Sequence, residues 1–270
     1  MGGNLNTFRA ASPRRSRTLA GAVWIMAATM VAAAAGGGAW AQDVPALRAR
    51  AAALSAEAER VEDANDIKKL QRAYGYYLDK GYWGEAADLF ADDATFEWGV
   101  DGVYVGKGRI REYLVRQGGG NVGPGLPYGQ FNHHMQLQPV VNVAADGKTA
   151  KARWQELALI GQFQKFADWA AGVYENEYVK QDGVWKISHL RAPFNMYTSY
   201  KDGWGKVAIP HTRPDSFPPP PDYPPTVVSL TYPSFYVEPY HYPNPVTGKP
   251  MPRPNKAAGG VAPMLPEDGQ

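Results

Sequence analysis

The chain has 270 residues, a formal net charge of +2, 44% hydrophobic residues and no cysteine. The missing thiols exclude disulfides, thiolate nucleophiles and cysteine-ligated metals, so the fold must stand on its apolar core. A charge near zero with no basic stripe excludes nucleic acid as an expected partner.

Residues 1–41 carry Arg14, Arg15 and Arg17, then an alanine-rich apolar run from Leu19 to about Ala35, then Ala39-Trp40-Ala41. A basic start, an apolar run and a small-x-small ending predict a secretory signal peptide cut after Ala41. The expected location is periplasmic, with no stable membrane span after processing. A retained anchor is the alternative, but the run falls short of the ~20 residues a span needs. Arg14-Arg15 also permits twin-arginine export.

Residues 42–61 read as a helical leader, rich in Ala, Glu and Arg. The domain proper is expected over 62–208. Asp63 is a plausible N-cap for a helix in which Ile67, Leu70, Tyr74, Tyr77 and Leu78 recur at spacings of three and four. Gly81 ends it. A short helix is expected over Glu85–Phe90, then a strand, a turn and a strand through "DDATFEWGVDGVYVGKG", then a helix over Arg109–Arg116. The glycine-rich "GGGNVGPGLPYG" reads as a long loop of the kind that borders binding sites. Beyond it strands are expected over His134–Val143, Thr149–Gln162, Gly172–Lys180 and Trp185–Arg191, with turns at Asp146-Gly147 and Asp182-Gly183. The order predicts an α+β fold in which a curved, mostly antiparallel sheet is wrapped by about three helices. Residues 209–270 are rich in proline and aromatics and predict an extended arm that docks on the domain or on a neighbouring subunit.

Several stretches in this order resemble the nuclear transport factor 2-like superfamily, in its SnoaL-like branch: "YLDKGYWGEAADLFADDATFEWG", "VYVGKGRIREYL", "FNHH", "DGKTAKARW" and "YVKQDGVWKISHLR". Scytalone dehydratase and ketosteroid isomerase are its best-known enzymes. The resemblance implies a cone-shaped barrel around an apolar pocket, proton transfer without a cofactor or metal, and assembly as a homodimer or homotrimer.

The resemblance places Tyr74 where the isomerase has its oxyanion-hole tyrosine, and Asp79 where the dehydratase has its pocket aspartate. Trp98 replaces the polar group that relatives carry on the first strand, which disfavours the isomerase reaction. His133 and His134 stand at one of the dehydratase's two pocket histidines. Neighbouring strand residues face opposite ways, so at most one of the two is expected to line the pocket and a paired metal site is not expected. Glu156 shares a strand face with Trp154, where desolvation would raise its pKa. Tyr174 aligns with the dehydratase's asparagine, and Asn176 and Tyr178 follow on the same face. Tyr77 belongs to the helix stripe and is also a candidate substrate contact. The expected catalytic set is therefore Tyr74, Asp79, His134 and Glu156; the expected lining is Tyr77, Trp98, His133, Trp154, Tyr174, Asn176 and Tyr178. Such a lining suits a small aromatic substrate.

The predicted activity is a cofactor-independent lyase, removing water from a phenolic compound or formaldehyde from a lignin-derived diaryl diol. The alternatives are an isomerase of a polycyclic ketone and a non-catalytic periplasmic protein that binds aromatic ligands.

Overall fold

The computed structural model describes residues 43–118, 123–209, 219–226, 230–234 and 236–252, so the expected signal peptide lies outside it. Residues 1–49 and 50–270 form separate compact units; of the first, only the exposed opening turns of a helix are described. Among the described residues, no helix is long and apolar enough to cross a membrane.

The elements run α1 (Val44–Asp79), α2 (Trp83–Asp88), β1 (Phe90–Trp98), β2 (Val103–Val105), α3 (Lys107–Gln117), β3 (Gln130–Val143), β4 (Thr149–Gln162), β5 (Phe166–Gln181), β6 (Val184–Ala192) and β7 (Phe194–Ser199). The α+β class is as expected. The sheet order is β2-β1-β6-β5-β4-β3, with β7 added beside β5. Among the described residues only β1 and β6 pair in parallel, and β2 and β3 remain unjoined, so the sheet is open rather than closed. On β4 the residues Ala150, Ala152, Trp154, Glu156 and Ala158 are buried, and on β5 Ala170, Tyr174, Asn176 and Tyr178 are. This period of two marks one inner face, and Lys151, Arg153 and Gln155 point the other way.

Three local expectations change. The leader and first helix are one helix, and Asp63 is not its cap. Asp63 lies inside α1, where its Oδ1 accepts the indole N–H of Trp185 at 2.9 Å and meets Lys180 Nζ at 2.5 Å. The second helix starts two residues earlier, at Trp83. Strands β3 and β5 begin earlier than expected, and β7 was not foreseen.

Gly81 ends α1 with φ +71, as its position suggested. Gly75 sets how closely α1 lies on β3: a Cβ there would come 2.7 Å from the His134 carbonyl oxygen. That approach brings the helix end, and Asp79, to the free edge of β3.

The arm does dock on the domain, though through polar groups more than through its rings. Asp222 Oδ2 accepts Val105 N–H at 2.8 Å, and Tyr223 bridges to Val103 beside β2. Thr226 donates its backbone N–H and its hydroxyl to Glu97, at 2.5 and 2.7 Å. Glu238 pairs with Arg191 at 2.7 Å, His241 meets Glu175 at 2.7 Å, and the Arg153 guanidinium lies 3.7 Å over the Tyr240 ring. Glu97, next to Trp98, therefore faces away from the interior and is sealed by the arm, as strand alternation required.

Candidate active site

The chemistry gathers where the C-terminal end of α1 meets β3. Among the described residues strand β3 pairs only with β4, which leaves its other edge open to α1. Asp79 Oδ1 accepts one of them, from His134, at 2.6 Å, and also lies 3.3 Å from His134 Nδ1. Asp79 Oδ2 lies 3.3 Å from His133 Nδ1. Two side chains on opposite strand faces thus reach one carboxylate, because Asp79 sits beside the strand edge and sees both faces. Strand alternation alone would let at most one of the two line the pocket; the edge-on placement of Asp79 lets both reach its carboxylate. The two remain unlike. The His133 side chain is 41% exposed and stacks on Phe131, whereas that of His134 is 9% exposed and packs edge-on to Trp98, 6.2 Å between centroids. Among the described residues no cluster of three or more His, Asp or Glu is placed to hold a metal ion.

A groove of about 200 Å³ opens over this pair, lined by Arg72, Tyr76, Asp79 and residues 133–137 of β3. Behind His134 lies an aromatic cluster. Trp98 contacts Tyr174 at 6.0 Å and Phe194 at 5.7 Å, and Tyr74 contacts Tyr174 at 6.5 Å and Phe90 at 5.9 Å. These rings are buried against each other and do not line the groove.

Within the cluster, the Tyr174 hydroxyl donates to Glu156 Oε1 at 2.8 Å. Burial pushes the Glu156 carboxyl above its ordinary range; the nearby His134 and the Tyr174 hydrogen bond pull it down, and Asp79 adds to the rise. The Tyr74 phenol is held well above its usual value by burial and by Glu156. Its hydroxyl is buried without a hydrogen-bond partner among the described residues. A buried donor left unsatisfied costs about 1–3 kcal/mol. Tyr174 is raised in the same way, by burial and then by Glu156.

Tyr74, Asp79, His134, Glu156, Trp98 and Tyr174 therefore come together. Trp154, Asn176 and Tyr178 form a separate knot: Trp154 Nε1 donates to Tyr178 Oη at 3.0 Å, and Tyr178 and Asn176 both donate to Gln71 Oε1, at 2.8 and 3.0 Å. Tyr77 stands apart, packed against Tyr82 at 6.4 Å. Sequence reasoning missed Gln71 and Gln136. Gln71 lies on the α1 stripe, four residues after Ile67 and three before Tyr74, and Gln136 lies two after His134. Both positions were readable as inward-facing.

The SnoaL-like domain family matches residues 59–191. No curated protein matches the chain. Similar solved structures include a candidate scytalone dehydratase from Novosphingobium aromaticivorans, 21% identical over 59% of this chain and 99% of its own, with a TM-score of 0.47. A hexachlorocyclohexane dehydrochlorinase, LinA-type3 from Novosphingobium barchaimii, is 21% identical over 57% and 99%, with a TM-score of 0.46. ActVI-ORFA from Streptomyces coelicolor is 14% identical over 48% and 95%, with a TM-score of 0.41. Over residues 59–191 the chain carries a SnoaL-like domain.

Proposed function

We propose that the protein is a cofactor-independent lyase acting on a hydrophobic phenolic substrate. The observation that carries this reading is the Asp79–His134 pair on the groove, with Glu156, whose carboxyl burial holds above its ordinary range, behind it. One site then holds a candidate base and a candidate acid whose environments differ. Asp79 orients the His134 imidazole, which takes a proton from the substrate. Glu156 delivers a proton to the leaving oxygen. The unpartnered Tyr74 hydroxyl donates to the oxygen that gains charge. The substrate ring enters by the groove, and the aromatic cluster parts around it.

In a dehydration the C–H and C–O bonds break, a C=C bond forms, one proton goes to His134, and the one from Glu156 leaves as water. For a phenolic diaryl diol, the benzylic hydroxyl leaves as water with the proton from Glu156, and the phenol releases its proton to solvent, to be regained once the ring is restored; this gives a quinone methide. His134 then removes the proton of the remaining primary alcohol, the C–C bond breaks, formaldehyde leaves, and its electron pair restores the aromatic ring. The net products are an alkene, water and formaldehyde. Trp98 offers an aromatic face where an isomerase would place a base. The test is incubation with a panel of phenolic dimers and hydroxylated aromatics, read by mass spectrometry. Loss of water or formaldehyde is expected. If every compound returns unchanged, the lyase reading fails and a ligand-binding role replaces it.

A further inference from the structure

We propose that the exposed opening of α1 is a docking surface for a second copy of this chain, which runs antiparallel along it about a twofold axis. Every residue from Asp43 to Glu62 is exposed, so no described part of the chain covers this stretch. A lone helix of such length is marginal in water and takes most of its stability from packing. Its four large aliphatic side chains, Val44, Leu47, Leu54 and Val61, follow at intervals of three, seven and seven, and Ala51 and Ala58 fill the steps between. That is a heptad seam with two apolar positions in every seven, the narrow stripe by which one helix meets another. Leu54 and Val61 are 57% and 59% exposed on it. The family match starts at residue 59, so most of the seam lies outside the common domain.

The seam selects its own partner and direction. With Ala51 opposite the partner's Leu54, antiparallel packing sets Leu47 against the partner's Ala58 and Val44 against the partner's Val61. Each layer then holds one Leu and one Ala, or two Val, so the seam keeps nearly constant width and fills at core density. A parallel pair in register would stack Leu on Leu and Ala on Ala, with gaps at the alanines. Charge agrees with volume. Antiparallel packing brings Arg50, flanking the seam, beside the partner's Glu57, and symmetry repeats the pair. Parallel packing brings Glu57 beside the partner's Glu62, also twice, which offsets what Asp43 and Arg48 would gain there. Past Val61 the seam leads into a groove of about 420 Å³, whose walls include Val61 and Ala64 of α1 and Val141 and Val143 of β3. This groove receives the first helical turn of the second copy. Both copies use the same surface, so the contact closes as a dimer.

Sedimentation equilibrium of the full chain, from low to high micromolar concentration, tests the contact. A dimer is expected. Leu54→Glu should leave a monomer over the same range, with the circular dichroism of the domain retained, because Leu54 is exposed within its own chain. A monomeric parent, or a dimer that Leu54→Glu leaves intact, overturns the proposal. The direction is read from charge. Glu57→Arg should weaken the dimer about tenfold at low salt, because two exposed attractions become repulsions. Adding Arg50→Glu to that variant should restore the parent affinity. An unchanged or tighter dimer in Glu57→Arg overturns the antiparallel assignment, since a parallel pair would gain from that change.

Discussion

Asp79 accepts the backbone N–H of His134 at 2.6 Å while its other oxygen lies 3.3 Å from the His133 ring. One carboxylate thus closes the free edge of β3 and orients a histidine on each face of it. Replacing it separates these duties. Asp79→Asn keeps an oxygen that can accept the His134 N–H, so the fold should survive, with a melting temperature within a few degrees of the parent. The imidazole loses its charged partner, and turnover on a responsive phenolic substrate should fall about 10²–10⁴-fold, the usual worth of a positioned acid–base group. Steady-state kinetics beside a thermal melt check both halves.

The two histidines should not be equivalent. His134 is enclosed against Trp98 and lies close enough to Glu156 to influence it, whereas His133 is exposed and stacked on Phe131. His134→Asn should abolish most turnover. His133→Asn should raise KM with little effect on kcat, as expected when a group contributes to binding alone. Equal loss of kcat in the two variants would reassign the base.

Glu156 gives the protein a stability term with a defined sign. Its carboxyl is raised by burial in the folded state, so the folded protein holds this proton more tightly than the unfolded chain does. Below the ordinary glutamate range both states are protonated and the contribution is complete. As pH rises through the higher folded value, the native state must bury a charge and the contribution is lost. Glu156→Gln removes the titration. The variant should unfold at a temperature less dependent on pH on the alkaline side of the ordinary glutamate range, and turnover should drop. Calorimetric melts across that range decide it.

How far such details were legible differs from element to element. Alternation on β4 and β5 placed Trp154, Glu156, Tyr174, Asn176 and Tyr178 on one face, and all five are buried there. The same rule failed for His133, because period two tells which face a side chain takes and not that the strand lies at an edge, open to a helix end. Asp63 was misread for a related reason. Its capping chemistry was local, whereas its partners Trp185 and Lys180 are more than a hundred residues away. Gln71 and Gln136 carry no charge and titrate nowhere, so a search for acids and bases passed over them. Their positions on the inward stripe and strand face were the only signal, and that signal is shared with ordinary core residues.

The arm makes a stability prediction of its own. Glu97 is 1% exposed on the side of β1 away from the aromatic cluster. Thr226 satisfies it with both a backbone and a side-chain donor. Thr226→Val keeps the shape of the side chain and the backbone donor, and removes only the hydroxyl. Hydrogen bonds to charged groups are worth about 1.5–3 kcal/mol, so the variant should be destabilised by about that amount in urea unfolding. Turnover at saturating substrate should stay unchanged, because Thr226 touches neither the groove nor the Asp79–His134 pair.

Gly75 marks a close approach of α1 to β3, and it tests whether that approach sets the site. A methyl group there would sit 2.7 Å from the His134 carbonyl oxygen and 3.0 Å from the Gln136 Cγ. Backbone oxygen cannot rotate aside as a flexible side chain can, so Gly75→Ala must lift the helix from the strand. In an exposed helix this substitution would stabilise by roughly 0.5–1 kcal/mol through better helix propensity. Here overpacking, about 1–3 kcal/mol, should win. The shift also carries Asp79, four residues further along α1, away from the His134 N–H. A lower melting temperature together with a fall in kcat is therefore expected from a change that removes no polar atom. A stabilised variant with full turnover would show that the helix approaches β3 less closely than the 2.7 Å contact requires.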